Sequence, residues 1–151
     1  MWGKVTLFEE CARVPLLVRV PGITQAGSES QGLVQLIDLY PTLADLCAIK
    51  VPPTIQGKSI RSLLEGDDVV INPAAYTVVT RGGESNRFLG KSIRTSQWRY
   101  AEWDQPDENE LYDLRQDPGE YSNLAKQPAY AETVATLRRL LRQREEVAAP
   151  K

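Results

Sequence analysis

With 151 residues, of which 42% are hydrophobic and 25% charged, the chain has the size and make-up of one ordinary globular domain or two small units. A net charge of -2 gives no broad basic field, which argues against nucleic-acid binding, and no apolar run nears the roughly 20 residues of a membrane span. The chain has no histidine, so no Ser-His-Asp or Cys-His arrangement is complete within it. Its two cysteines, Cys11 and Cys47, form no Cys-x-x-Cys zinc pair, and although a single disulfide between them is open, the spacing does not demand it and they read as buried free thiols.

In chain order, the N-terminus shows no basic region followed by an apolar core and a small-residue cleavage site, so no export signal is expected on this chain. A polar opening carrying Lys4 leads into a short Val- and Leu-rich run, Val14 to Val20, closed by Pro21 and Gly22, which predicts a largely buried β-strand. Residues 23–32, rich in Gly, Ser, Gln and Thr, predict a surface loop. Asp38 as N-cap and Pro41 in the first turn predict a helix from about Leu39 to Ala48, with Leu39, Leu43, Leu46 and Cys47 on its apolar face against the sheet of the first strand. Asp45 belongs to its solvated face.

Val51-Pro52-Pro53 ends that helix, Gln56 to Ser59 forms a turn, and Ile60, Leu63 and Leu64 predict one further helical turn. The polar, turn-rich stretch through Pro73 marks a boundary, which divides the chain into residues 1–70 and residues 71–151. The second part opens with a strand over Ala75 to Thr80. A loop, Arg81 to Arg87, then precedes a hairpin of Lys91–Thr95 with Trp98–Trp103. In its second strand Trp98, Tyr100 and Glu102 face one side and Arg99, Ala101 and Trp103 the other. Glu110 to Leu114 predicts another strand. Cover for this sheet comes from a C-terminal helix opened by Pro128, with Tyr130, Val134, Leu137 and Leu141 at helical spacing, while Arg138, Arg139, Arg142 and Arg144 read as its solvated face.

Four stretches together resemble the C-terminal part of the type I sulfatases of the alkaline-phosphatase superfamily. They are Trp2-Gly-Lys4 with Phe8-Glu9 and Arg13-Val-Pro-Leu-Leu17; Ile37-Asp-Leu-Tyr-Pro-Thr-Leu43 with Val51-Pro-Pro53 and Gly57-Lys-Ser59; Gly90-Lys-Ser-Ile-Arg-Thr95 with Trp98-Arg-Tyr100; and Glu110-Leu-Tyr-Asp-Leu114 with Asp117-Pro118, Glu120 and Asn123-Leu-Ala125. The Trp-Gly-Lys opening and the Ser-Ile-Arg-Thr hairpin are most similar to iduronate-2-sulfatase and its bacterial relatives. The resemblance implies an α/β fold class with an α+β C-terminal part. Residues 1–70 would be the end of the large mixed sheet of the catalytic domain, and residues 71–151 a small antiparallel sheet packed with a terminal helix. It further implies hydrolysis of sulfate esters of a sulfated saccharide, a formylglycine nucleophile and a calcium or magnesium ion in the rest of the enzyme, and a periplasmic, secreted or lysosomal setting.

Lys4 is the family site position that carries over, its ammonium stabilising charge on the transferring sulfate or the leaving oxygen. Arg87 and Lys91, beside the glycine-containing loop, are the substrate-binding candidates, reading a uronate carboxylate or a second sulfate. Arg94, Asp117 and Asn123 read as structural. Cys11-Ala-Arg-Val-Pro15 does not match the nucleophile motif, since its third position is Arg13 rather than proline. No residue is assigned to a metal, and no cofactor is expected on this chain alone, which is therefore expected to be inactive. Two readings stand beside this one: a fragment of a phosphodiesterase or phosphonate hydrolase of the same superfamily, and a non-catalytic binding module whose contact surface is the hairpin around Trp98 and Trp103. No nucleic-acid or membrane partner is expected, while an orphan strand at Val14–Val20 predicts self-association through exposed sheet.

Overall fold

A computed structural model describes residues 5–83, 86–104 and 108–148. In chain order its elements are α1 (Glu9–Ala12), α2 (Leu39–Leu46), α3 (Arg61–Glu65), β1 (Ala75–Arg81), β2 (Phe88–Arg94), β3 (Trp98–Trp103), β4 (Glu110–Asp113) and α4 (Ala131–Ala148). They fall into two compact units, one of Met1–Val14 with Tyr76–Lys151 and the other of Pro15–Ala75.

The first unit is a four-stranded sheet in the order β1-β2-β3-β4. The hairpin predicted from Lys91–Thr95 and Trp98–Trp103 is present as the antiparallel pair β2–β3, with Ile93 opposite Tyr100 and Arg94 opposite Arg99. Antiparallel β4 places Leu111 opposite Tyr100 and Tyr112 opposite Arg99. Side chains alternate across a strand, so this register sorts the residues into two faces. One face carries Ile93, Tyr100 and Leu111, all fully buried, and is covered by α4: Trp98 meets Tyr130 edge-on at 5.8 Å between ring centroids, and Leu137 and Leu141, one helical turn apart, are buried. A 3-10 turn, Pro128–Tyr130, leads into α4 with Pro128 where its missing N–H costs nothing.

The opposite face carries Ser92, Arg94, Arg99, Ala101 and Tyr112, and its cover is the N-terminal segment. Leu7 is buried, Phe8 lies 6.0 Å from Tyr112 between ring centroids, and Glu9 reaches Arg94 and Arg99. The sheet is therefore a filled sandwich, which is how four short strands become stable. The turn after β4 follows its sequence signals. Asp117 Oδ2 accepts the Ser122 N–H at 2.8 Å, and Asn123 Oδ1 accepts the N–H groups of Leu111 and Ala125.

The second unit departs from expectation in two places. The run Val14–Val20 forms no strand. A strand exists only where a neighbour completes its ladder, and no such neighbour is present among the described residues, so Leu16 and Leu17 remain exposed, Leu17 at 93%. Helix α2 forms where expected, but its buried residues are Pro41, Thr42 and Ala44 rather than the predicted apolar stripe, and Leu43 and Cys47 are exposed. Within this unit the helix meets α3 and the loop that leads into it. Thr42 Oγ1 accepts the Ile60 N–H at 3.0 Å and donates to the Asp38 carbonyl. The helix stops at Leu46, short of the predicted Ala48, because Ala48 takes a left-handed φ of 55° and the Ile49 N–H turns back to the Ala44 carbonyl at 2.8 Å. The helical turn expected near Ile60–Leu64 is α3, ended by Gly66 at φ +94°.

Asp38 stands at the N-cap position of α2 as expected, but its side chain makes no cap bond to that helix. It closes a capping box with Gln35 on the preceding 3-10 turn, Leu36–Asp38, and is the hub of this unit. It is 1% exposed. Its Oδ2 accepts the Gln35 N–H at 2.8 Å and the Asn72 Nδ2 amide at 2.7 Å, and its Oδ1 accepts the Lys58 N–H at 2.9 Å. One carboxylate thus ties the approach to α2 to two later loops.

Candidate functional site

The residues assigned from sequence lie apart in kind. Lys4 falls outside the described residues. Arg87 is exposed just ahead of β2. Lys91 is inside β2, half-buried and opposite Glu102, on the face covered by α4. There a cross-strand pair of opposite charge supports the ladder. Lys91 thus stands in the first strand of the hairpin, as the sequence predicts, with the glycine-containing loop ahead of that strand. Cys11 sits in α1 and, like Cys47, forms no disulfide; neither is the buried thiol expected, Cys11 being half-buried and Cys47 exposed. Among the described residues no three His, Cys, Asp or Glu side chains converge as metal ligands.

The basic residues of α4 are only partly a solvated face. Arg138 Nε donates to Glu102 Oε1 at 2.8 Å and to the Tyr100 hydroxyl at 3.1 Å. Burial, followed by the Glu102 hydrogen bond, pushes the Tyr100 phenol far above its ordinary value, so Tyr100 stays protonated throughout the working range. Arg144 lies over the Tyr76 ring at 5.7 Å. Arg139 and Arg142 are exposed.

The densest polar cluster lies on the other face of the sheet. Arg99, at the centre of β3 and 1% exposed, points its Nη2 at Glu9 Oε2. Its Nη1 lies 3.4 Å from Ser92 Oγ, and its Nε lies 2.6 Å from Glu120 Oε1, an ion pair in distance although the N–H is not directed along it. Arg94 Nη2 donates to Glu9 Oε1 at 3.1 Å, and the Glu9 N–H donates to Glu120 Oε2 at 2.6 Å. Two guanidinium groups face two carboxylates, so the buried charge is balanced.

The two acids respond oppositely to the same surroundings. Burial alone pushes Glu9 up, but the Arg94 hydrogen bond and the Arg99 charge outweigh it and hold Glu9 below the ordinary carboxylate range. For Glu120 burial wins, and its pKa is raised despite the neighbouring Arg99. Glu120 also sits at a left-handed φ of 55°, unusual for a residue with a side chain, which aims its carboxylate inward. This arrangement holds no nucleophile and no proton-transfer pair directed at open space. Its chemistry is positional: it fastens the N-terminal segment to the sheet. Reading the sequence alone missed Arg99, Glu9 and Glu120 as a unit, although all three lie inside the stretches that carry the family resemblance.

Set beside known proteins, residues 1–147 match the family model described as N-sulphoglucosamine sulphohydrolase, C-terminal. An N-acetylglucosamine-6-O-sulfatase of Bacteroides thetaiotaomicron is 31% identical over 145 residues, which is 93% of this chain and 26% of that protein. A solved structure described as in complex with its substrate D-glucosamine-2-N,6-O-disulfate superposes with a TM-score of 0.84 at 31% identity, covering 94% of this chain and 30% of that one. A phosphonate monoester hydrolase of Silicibacter pomeroyi gives 0.82 at 25% identity, covering 96% and 31%. The fold and these likenesses define the chain as sulfatase-type of the alkaline-phosphatase superfamily, with the small four-stranded sheet and terminal helix of the C-terminal part. It belongs to the N-sulphoglucosamine sulphohydrolase C-terminal family, and it spans about a quarter of the length of the curated relative it matches.

Proposed function

We propose that the chain acts as the C-terminal part of a sulfatase that hydrolyses sulfate esters of a sulfated sugar. The observation that carries this reading is the match of residues 1–147 to the sulfatase C-terminal family. In this reading residues 1–70 complete the catalytic domain, with residues 5–14 also covering the small sheet, and residues 71–151 form the small subdomain. The formylglycine nucleophile and a calcium or magnesium ion belong to the rest of the enzyme. That metal, when bound, supplies Lewis-acid stabilisation of the sulfate oxygens, and the residues described in this chain do not fit it. Lys4 would place an ammonium beside the sulfate. Arg87 would meet an anionic group on the sugar from its exposed position, and Lys91 would support it from β2. A periplasmic, secreted or lysosomal setting goes with this family; no helix among the described residues is long and apolar enough to cross a membrane.

The purified chain is expected to show no metal-dependent turnover of an aryl sulfate. The whole enzyme is expected to release sulfate from a sulfated glucosamine or uronate, with turnover falling on Lys4→Ala. Turnover by the chain alone would overturn the assignment of the chemistry to other residues. The likeness to a phosphonate monoester hydrolase favours a second reading, in which the ester is a phosphonate. Competition between an aryl sulfate and an aryl phosphonate in the whole enzyme separates the two. A sugar-binding module built on the hairpin is poorly supported, since Trp98 packs on Tyr130 and Trp103 on Phe88.

A further inference from the structure

The segment that follows Lys4 is held against the small sheet at three of its first five positions, Val5, Phe8 and Glu9, and the two between, Thr6 and Leu7, are buried. The Val5 carbonyl, next in the chain to Lys4, accepts from Arg81 Nε at 2.7 Å. Thr6 and Leu7 are buried, and Phe8 packs on Tyr112. Glu9 then receives Arg94 and Arg99 on its two carboxylate oxygens while its own N–H goes to Glu120. α1 spans only four residues and the segment pairs with no strand, so its course is set by these contacts rather than by secondary structure. Truncating a side chain in such a segment changes where the backbone goes as well as how stable it is.

We infer that Glu9, held by Arg94 and Arg99, and Arg81, held on the Val5 carbonyl, are positioning residues that mount the Lys4 segment on the C-terminal sheet. The small sheet would then fix the course of residues 5–12, the chain immediately after Lys4, although it supplies no reacting atom itself. This rests on the catalytic role proposed for Lys4. A buried Arg with two acidic partners is a costly way to gain stability, because desolvating the charges offsets their attraction. It is an effective way to fix geometry, because each guanidinium N–H accepts one direction of approach. Misplacing a catalytic group by about 1 Å costs on the order of 100-fold in rate.

Two measurements test this. In the 151-residue chain, Glu9→Gln is expected to speed amide hydrogen exchange over residues 6–12 by roughly tenfold or more, while the Tyr100 and Leu111 amides stay protected. Unchanged exchange in that segment overturns the mount. In the whole sulfatase, Glu9→Gln is expected to lower kcat about 10- to 100-fold with KM nearly constant, and to have almost no further effect in a Lys4→Ala background. A loss of equal size in both backgrounds means that Glu9 does not act through Lys4 and overturns the inference while leaving Lys4 catalytic. An unaltered kcat in Lys4→Ala alone overturns the catalytic reading itself, and the positioning role falls with it. Where Glu9→Gln does not fold, Arg81→Gln, which removes the Val5 anchor, the stacking on Trp103 and a charge near Glu110, enters the same cycle with the same expected outcomes.

Discussion

Replacing Asp38 tests the reading of the second unit most directly. Its two carboxylate oxygens serve three donors, Gln35 N, Asn72 Nδ2 and Lys58 N, at 2.7 to 2.9 Å, in a site with almost no solvent. Asp38→Ala leaves all three facing a void. A hydrogen bond to a charged group contributes about 1.5 to 3 kcal/mol, and the three losses overlap because they share one acceptor group, so a total near 3 to 5 kcal/mol is expected. Asp38→Asn is the sharper variant because it keeps the shape. Whichever way its amide is turned, an NH2 group must face either the Lys58 N–H or the pair formed by Gln35 and Asn72. At least one donor then meets a donor, a cost of about 1 to 3 kcal/mol. With a urea m-value of about 2 kcal/mol/M, Asp38→Asn moves the midpoint down by roughly 1 M and Asp38→Ala by roughly 2 M. Urea unfolding followed by far-UV circular dichroism reads this, and hydrogen exchange at the Gln35 and Lys58 amides locates it. An Asp38→Asn midpoint indistinguishable from the parent, with both amides still protected, would refute the hub.

Three further outcomes follow from the geometry. Gly90→Ala places a methyl group against the Trp103 ring, whose Cε3 lies 2.6 Å from the ideal position. It is expected to cost about 1 to 3 kcal/mol and to shift the tryptophan emission as the Trp103 indole N–H, which donates to Glu110 Oε1 at 3.2 Å, is displaced. Tyr112, pushed up to about 12 by burial and then by the charges of Glu110, Glu120 and Asp117, should titrate well above a free tyrosine in an ultraviolet pH scan. Because the folded pKa is the higher one, its contribution is fully present below about pH 10 and is lost as the pH rises towards 12; alkaline unfolding that begins no earlier in the wild type than in Tyr112→Phe contradicts this. Leu17, 93% exposed in an apolar run, is expected to promote association of the chain, so Leu17→Glu should shift sedimentation profiles towards monomer. An unchanged profile removes that run from the account.

The parts of the fold legible in the sequence are those written in local patterns. The hairpin of β2 and β3 shows in its alternation and short polar turn, and α4 in the spacing of Leu137 and Leu141 behind Pro128. The α2 stripe misled because periodicity reports which face is apolar, not whether a partner layer exists to cover it; Leu43 faces solvent and Ala44 is buried. The Val14–Val20 run misled for the same reason. Asp38 and Arg99 were not legible as hubs at all. Their partners are remote, Asn72 lying 34 residues from Asp38 and Glu9 90 residues from Arg99. An aspartate ahead of a helix looks the same in sequence whether it caps that helix or gathers distant loops. Of the candidate site, the resemblance supplied Lys4, Arg87 and Lys91. What folding added was the reason Glu9, Arg99 and Glu120 stand in the same stretches.

The two layers that cover the small sheet come from opposite ends of the chain, and this imposes an order on synthesis. Leu7, Phe8 and Glu9 leave the ribosome before the sheet that receives them, and Glu9 bonds to Glu120, 111 residues later. At about 5 to 20 residues per second, the N-terminal segment waits roughly 5 to 20 seconds for the surface that receives it. Strands β2, β3 and β4, each pairing with its neighbour in sequence, have formed their ladder by the time α4 emerges. An apolar segment that waits while its receptor is still being made is a natural point for a chaperone to hold, and a natural point at which a slowed ribosome would expose the chain to aggregation.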